Sequence, residues 1–248
     1  MKKKILISYV SYSNTSKSVA YNIYDKLDKK KYIVSLIDLS EYGSKINMFS
    51  NFLFKNNLEL LSGLFLKLVN NKLMAISYEK QSIKCFDSGE LRGIFSTYNP
   101  DLVLTTHYCA SYIVTYYNRL KITNTKIISI VTDYTAHTSW IMNSKEIDKY
   151  VVSNEILKSD FIKKGVDTST IYPYGLPSNL SASTDDYETI LKKYSLKNDK
   201  PIYLFFIDIE RGFEYFKTII KKFRYNFYIF SYFFIFAFCV VFIFHKCT

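Results

Sequence analysis

Lys126-Ile127-Ile128-Ser129-Ile130-Val131 runs directly into Thr132-Asp133-Tyr134-Thr135-Ala136-His137-Thr138-Ser139-Trp140. The first stretch is a short apolar run bounded by polar residues, as a strand buried on both faces would be. The second gathers an acid, an imidazole and the only tryptophan into one polar loop. The loop therefore leaves the carboxyl end of a buried strand, and in open α/β sheets that edge is where ligands bind.

Working outward, similar apolar runs recur at residues 5–9, 32–39, 102–105, 150–152, 171–172 and 202–206. Helical segments fall between them. Val19, Ala20, Ile23 and Leu27 share one helical face, and residues 155–164 form a helical segment ended by Gly165. Strands alternating with helices predict an α/β fold, a Rossmann-like, doubly wound parallel sheet. No internal repeat is visible. Three polar loops, at 11–18, 106–111 and 132–140, each follow a predicted strand. In a parallel sheet all three emerge at one edge, so residues distant in sequence can line one pocket.

The chain of 248 residues is long enough for one or two domains with a real core. Aromatics make up 18% and apolar residues 48%, which argues against disorder. The formal net charge is +11, compatible with nucleic acid, an anionic membrane or a phosphorylated substrate. Lysine carries most of this charge and no dense basic run appears, so no nucleic-acid partner is expected. The four cysteines form no CxxC pair and only three histidines exist, which argues against a zinc site. The amino terminus has too short an apolar stretch for a signal peptide, placing the main body in the cytoplasm.

Two stretches depart from the α/β pattern. Residues 49–69 crowd Phe and Leu with interspersed Lys55 and Lys67, and read either as core-packing helices or as a face for the membrane interface. Residues 181–186 read as a linker. Residues 227–244 contain no charged residue and are predicted as an apolar helix just long enough to span a bilayer, which takes about 20 residues. Lys221, Lys222 and Arg224 precede it, favouring a cytoplasmic amino side. The expected domains are thus 1–180, a short segment 181–206, and a divergent tail 207–248.

Taken together, the loops resemble those of the diacylglycerol glycosyltransferases, which include processive bacterial diacylglycerol glucosyltransferases and plant monogalactosyldiacylglycerol synthases. Residues 132–140 look like that family's T-D-Y-x-x-H-x-x-W stretch, the most specific match. Pro100-Asp101-Leu102-Val103-Leu104-Thr105-Thr106-His107 looks like its P-D-x-I-I-x-T-H segment. Tyr150-Val151-Val152-Ser153-Asn154-Glu155 and Gly175-Leu176-Pro177 look like its later strand and G-I-P turn. The similarity covers about residues 3–206.

The resemblance implies the amino-terminal, acceptor-side half of a GT-B glycosyltransferase at the cytoplasmic membrane face. Such an enzyme passes a hexose from a UDP-sugar to the hydroxyl of diacylglycerol. No bound cofactor or metal is implied, and the expected partners are diacylglycerol and anionic membrane lipids. Carried over residue by residue, Asp133 is the candidate to orient the acceptor or act as base. Asn14, His107, Tyr134, His137 and Trp140 are candidates for acceptor binding. Each also has a structural reading: a turn cap for Asp133, a hydrogen-bonded imidazole for His107 and His137, a helix cap for Asn14.

The sequence departs from the family twice. Where the family's first loop reads G-x-G-H, this chain has Ser13-Asn14-Thr15-Ser16, so Ser16 stands in place of the expected histidine. A serine does not titrate near neutral pH and cannot be a general base by itself. After residues 201–206 the family continues into a glycine-rich loop and a donor domain that this sequence does not display. The expectation is an apparently truncated acceptor half, inactive alone, anchored by 227–244 or peripheral, with a separate chain as one source of the donor half. A frameshifted gene would give the same picture. Two other readings remain: a non-catalytic membrane-associated lipid-binding module, and a flavodoxin-like flavin-binding electron carrier, for which 11–16 would be the phosphate loop.

Overall fold

The protein is described by a computed structural model covering residues 2–43, 72–178, 185–195, 202–206, 226–234 and 237–245. It divides into two compact units, Met1–Leu180 and Ser181–Thr248. The aromatic stretch 49–69 lies outside the described residues, as do 181–184 of the expected linker and 207–225 of the tail.

The first unit is built on six strands: β1 (Lys3–Tyr9), β2 (Tyr32–Asp38), β3 (Leu102–Thr105), β4 (Lys126–Ile130), β5 (Lys149–Val151) and β6 (Ile171–Tyr172). They form one sheet in the order β2-β1-β3-β4-β5-β6, every neighbouring pair parallel. Among the described residues its helices are α1 (Asn14–Lys26), α2 (Lys72–Phe86), α3 (Gly89–Tyr98), α4 (Tyr108–Arg119), α5 (Thr138–Ile141) and α6 (Glu155–Lys163).

The period-2 alternation of strand side chains sorts the core into two layers. Ile5, Ile7, Leu104 and Ile130 face α1 and bury its Val19, Ala20 and Ile23. Leu6, Val103 and Ile127 face the other way, where they join Phe86 of α2, Phe95 of α3, Ile113 and Tyr117 of α4, Trp140 of α5 and Phe161 of α6. Helices thus cover both faces, and the predicted doubly wound α/β architecture is what forms. Its register is pinned at the sheet's amino edge, where the Asp101 carboxylate accepts the Lys4 amide at 2.7 Å. Gly165 ends α6 as read from the sequence, at φ +90, a left-handed conformation that glycine adopts without strain.

The layer nearest the carboxyl edge carries hydroxyls. Thr105, Ser111 and Ser129 are buried, and their three oxygens lie 2.8–2.9 Å from one another. A closed ring of this kind satisfies its own polar atoms and ties β3, β4 and α4 together.

The second unit contains helix α7 (Tyr187–Lys193) and three strands, β7 (Ile202–Phe206), β8 (Asn226–Phe234) and β9 (Ala237–His245). They form an antiparallel sheet in the order β7-β9-β8. This corrects the expectation of an apolar helix over 227–244. β8 and β9 pair antiparallel, with Tyr232 opposite Cys239 and Phe227 opposite Phe244. The stretch is made almost wholly of Phe, Tyr, Ile and Val, which favour extended backbone, and holds no leucine and one alanine. Among the described residues no helix is long and apolar enough to cross a membrane.

Candidate functional site

Because all six strands run parallel, the loops after β1, β3 and β4 leave one edge of the sheet. The chain passes from β1 to a neighbour on one side, β2, while β3 lies on the other. The crevice between β1 and β3 is therefore a topological switch point.

Side chains join the three loops there. The Ser16 and Thr106 hydroxyls lie 2.9 Å apart, and Thr106 also donates to the Ser16 carbonyl at 3.0 Å. The Thr132 hydroxyl donates to the Thr106 carbonyl at 3.2 Å. All three residues are buried, so these bonds are shielded from competing water. The edge that brings the loops together is the one read from the sequence.

Asp133 sits where the third loop turns outward. Its Oδ2 accepts the Trp140 indole N–H at 2.6 Å and the His137 Nε2–H at 2.9 Å. Burial works against its ionisation, but the two hydrogen bonds and the neighbouring imidazoles outweigh that and hold its carboxyl below the usual range. The Asp133 side chain is 43% exposed, whereas His137 and Trp140 are buried. The result is an ionised carboxylate with one edge anchored and the rest facing out. Helix α5 is a single turn and has no stability of its own. It is held by tertiary bonds, since Tyr112 donates to the Ser139 carbonyl and Tyr150 to the Trp140 carbonyl, at 2.8 and 2.9 Å.

A second, polar frame lies behind this loop. Asn143 donates to Glu79 of α2 at 2.9 Å and to Thr115 of α4 at 3.0 Å. Arg119 of α4 donates to Asn143 at 2.9 Å and to both Glu146 oxygens. The residues after α5 are thereby tied to two helices.

His107 caps α4. Its Nδ1 accepts the Cys109 amide at 3.2 Å, so the ring's proton resides on Nε2. Burial disfavours its charged form, Asp133 favours it and His137 opposes it. The net effect lowers its pKa to about 4. Unfolded, the same ring titrates near 6.5, so between those values the unfolded chain binds more protons. Stability from burying this neutral ring is complete above about pH 6.5 and is lost as pH falls towards 4. From pH 7 to pH 4 the wild type should lose about 3 kcal/mol more than His107→Asn, which still caps the helix. Urea unfolding at a series of pH values, followed through Trp140 fluorescence, measures the difference.

The aromatic centre of the site was missed in the sequence. The Tyr108 ring lies 4.1 Å from His107, 5.3 Å from His137 and 5.7 Å from Trp140, centroid to centroid, and Tyr78 of α2 lies 5.9 Å away. Tyr12, from the first loop, meets the His107 ring edge-on at 5.5 Å. Tyr108 directly follows the quoted Thr106-His107 pair, and that position at a strand end was the available signal.

The other sequence candidates are placed as follows. Ser16 is fully buried, and its hydroxyl also accepts the Val10 amide at 3.3 Å, so it acts as a strut between loops. Asn14 is exposed at the start of α1 and shares a cleft of about 300 Å³ with Lys17, Ser18, Tyr21 and Asn22, on the helix that covers the opposite face from Trp140. Tyr134 is 84% exposed beyond the Asp133 anchor. The structure thus brings Asp133, His137, Trp140 and His107 together and leaves Asn14 and Tyr134 outside that cluster. Among the described residues no group of three or more His, Cys, Asp or Glu side chains is placed to hold a metal ion.

The first loop also bears on the flavin reading. A phosphate loop needs free backbone N–H groups. Here the Ser11 amide donates to Asp38 and Ser40, the Ser13 amide to Val10, the Ser16 amide to Ser13 and the Lys17 amide to the Ser13 carbonyl. Those four donors are spent and the Asp38 carboxylate disfavours an anion, while the Tyr12, Asn14 and Thr15 amides make no hydrogen bond among the described residues.

A family model described as monogalactosyldiacylglycerol (MGDG) synthase matches residues 14–177. The chain belongs to the MGDG synthase family. Every candidate residue above lies within the matched segment. A processive diacylglycerol beta-glucosyltransferase of Bacillus pumilus is 24% identical over 212 residues, 82% of this chain and 53% of that protein. An uncharacterised glycosyltransferase of Bacillus subtilis, YkoN, is 28% identical over 103 residues, 41% of this chain and 26% of that protein. This member of the MGDG synthase family therefore spans about half, or less, of the curated relatives it matches. Among solved structures, the S. aureus MnaA–UDP co-structure is similar at 12% identity and a TM-score of 0.42, covering 81% of this chain and 52% of that one. A likeness at that level carries no argument about the ligand.

Proposed function

We propose that residues 1–180 form the acceptor-side half of a GT-B glycosyltransferase that passes a hexose from a UDP-sugar to the hydroxyl of diacylglycerol. One observation carries this reading: an ionised Asp133 carboxylate, gripped on Oδ2 by Trp140 and His137, stands at the carboxyl edge of the sheet within the MGDG synthase match. A carboxylate held below the usual range is a weak proton acceptor at neutral pH. Its part is to receive the acceptor hydroxyl on Oδ1 and turn the oxygen towards the sugar. Ser16, spent on loop contacts, contributes no base.

Positive or dipolar support for the leaving diphosphate must come from a donor half. Residues outside the matched segment or a separate chain would provide it. The protein works at the cytoplasmic membrane face as a peripheral protein, where the net charge of +11 favours anionic lipid.

Vesicle flotation tests the acceptor reading. The 248-residue chain should float better with vesicles containing diacylglycerol than with matched vesicles lacking it, and equal flotation would sink the reading. Supplied with UDP-glucose or UDP-galactose, the 248-residue chain alone should yield no glycolipid, and adding the carboxyl-terminal half of the Bacillus pumilus relative should restore transfer. Binding without transfer in any combination would instead favour a non-catalytic lipid-binding module.

A further inference from the structure

Asp133 and His107 present opposite hydrogen-bonding characters at one edge. The Asp133 carboxylate only accepts. The His107 ring, with Nδ1 committed to the Cys109 amide, offers only a donor at Nε2. Among the described residues the ring's hydrogen bond is the one that Nδ1 accepts, which leaves Nε2–H for a ligand.

Three further features keep it so. Tyr12 meets the ring edge-on and Tyr108 lies against it at 4.1 Å with the planes tilted by 33°, so the imidazole is packed on two sides while it caps the helix. Burial holds the ring neutral against the pull of Asp133, while His137 opposes protonation. The loops bearing the two residues are fastened to each other next to them, where the Thr132 hydroxyl donates to the Thr106 carbonyl.

A ligand matching this pair carries a hydroxyl and, elsewhere on the same molecule, an oxygen that accepts but does not donate. The proposed acceptor lipid has both, a free hydroxyl and the carbonyl of the neighbouring ester. We propose that His107 is a specificity residue whose Nε2–H binds an ester carbonyl of the acceptor lipid while Asp133 binds its hydroxyl. The assignment rests on the acceptor reading above and adds to it a preference for ester-linked over ether-linked lipids. An ether oxygen is a poorer acceptor and stands elsewhere than a carbonyl oxygen.

The test compares binding of the 248-residue chain to mixed micelles containing dioctanoylglycerol or its diether analogue, dioctylglycerol. A single net hydrogen bond to a neutral donor corresponds to a preference of about five- to tenfold for the ester. His107→Ser keeps a capping hydroxyl for α4 but is too short to reach the lipid. In it the preference should fall to about one, with ester binding reduced and ether binding unchanged. His107→Asn is the check on folding, since it caps equally well and presents an amide N–H. It should regain part of the preference. In parallel, imidazole ¹⁵N shifts should show the Nε2–H tautomer of His107 from pH 5 to pH 8. Equal binding of both lipids by the wild type, or an unchanged ratio in His107→Ser, overturns this assignment alone. Failure of the wild type to bind either lipid overturns the acceptor reading and this one with it.

Discussion

Asp133→Ala should lower hexose transfer to diacylglycerol by about a hundredfold or more, measured with this chain and a donor half together, while lipid flotation falls far less. The reason is geometric. Trp140 and His137 hold one carboxylate edge so that the other meets the hydroxyl at a set angle. Asp133→Asn separates charge from geometry. Its amide oxygen can still accept from Trp140, so the loop stays in place, but no anion faces the hydroxyl. The Asn variant should therefore fold like the wild type and transfer nearly as poorly as the Ala variant. If it retained most of the activity, charge at this position would be irrelevant and Asp133 would be an ordinary turn residue. Because the folded carboxyl titrates below its unfolded value, its stabilising bonds are complete above about pH 4 and fade as pH falls through the folded pKa. The stability difference between the wild type and Asp133→Asn should shrink accordingly in acid.

The largest stability change is expected at Trp140. The side chain is 1% exposed and is the bulkiest among those fully buried. Trp140→Ala removes an indole that packs edge-on against Tyr108 and leaves the Asp133 carboxylate one partner short. Aromatic-to-alanine changes in cores cost about 3–5 kcal/mol. The single-turn α5 gives no independent support, so the whole loop should loosen. Trp140→Phe keeps an aromatic ring in the core but loses the N–H and part of the indole volume, and should cost about 1–3 kcal/mol. Urea unfolding followed by far-ultraviolet circular dichroism compares the two. A Phe variant as damaged as Ala would mean that the hydrogen bond outweighs the packing. An Ala variant within about 1 kcal/mol of wild type, the range of ordinary surface changes, would mean that the loop is not part of the core.

The parallel sheet was legible because its strands are apolar runs of a few residues flanked by polar turns, a pattern that suits strands covered by helices; β1, β3 and β4 are largely buried, while the edge strand β2 is only partly so. Residues 227–244 misled by length. An uninterrupted apolar run of that size satisfies the criterion for a spanning helix, but the residue types are strand formers, and β8 and β9 follow composition. In the site, the spacing of Asp133 to His137 and Trp140 was visible, and local chain geometry brings those side chains to one oxygen. Tyr108 was not visible, because its importance arises from contacts across the ends of β3 and β4 that no local pattern encodes. Nor did Ser16 reveal itself as a strut. That role depends on Thr106, far away in sequence and adjacent only through the β1–β3 pairing.

The polar frame around Asn143 limits what can be transplanted. Its partners belong to α2, α4 and the turn after α5, so the geometry at Asp133 is a property of three separate chain segments. Moving residues 132–140 onto another parallel sheet would carry the motif and leave its alignment behind. A graft that functions must bring Glu79, Thr115, Arg119, Asn143 and Glu146 as one unit, which makes two helices and a loop the smallest exchangeable module of this site.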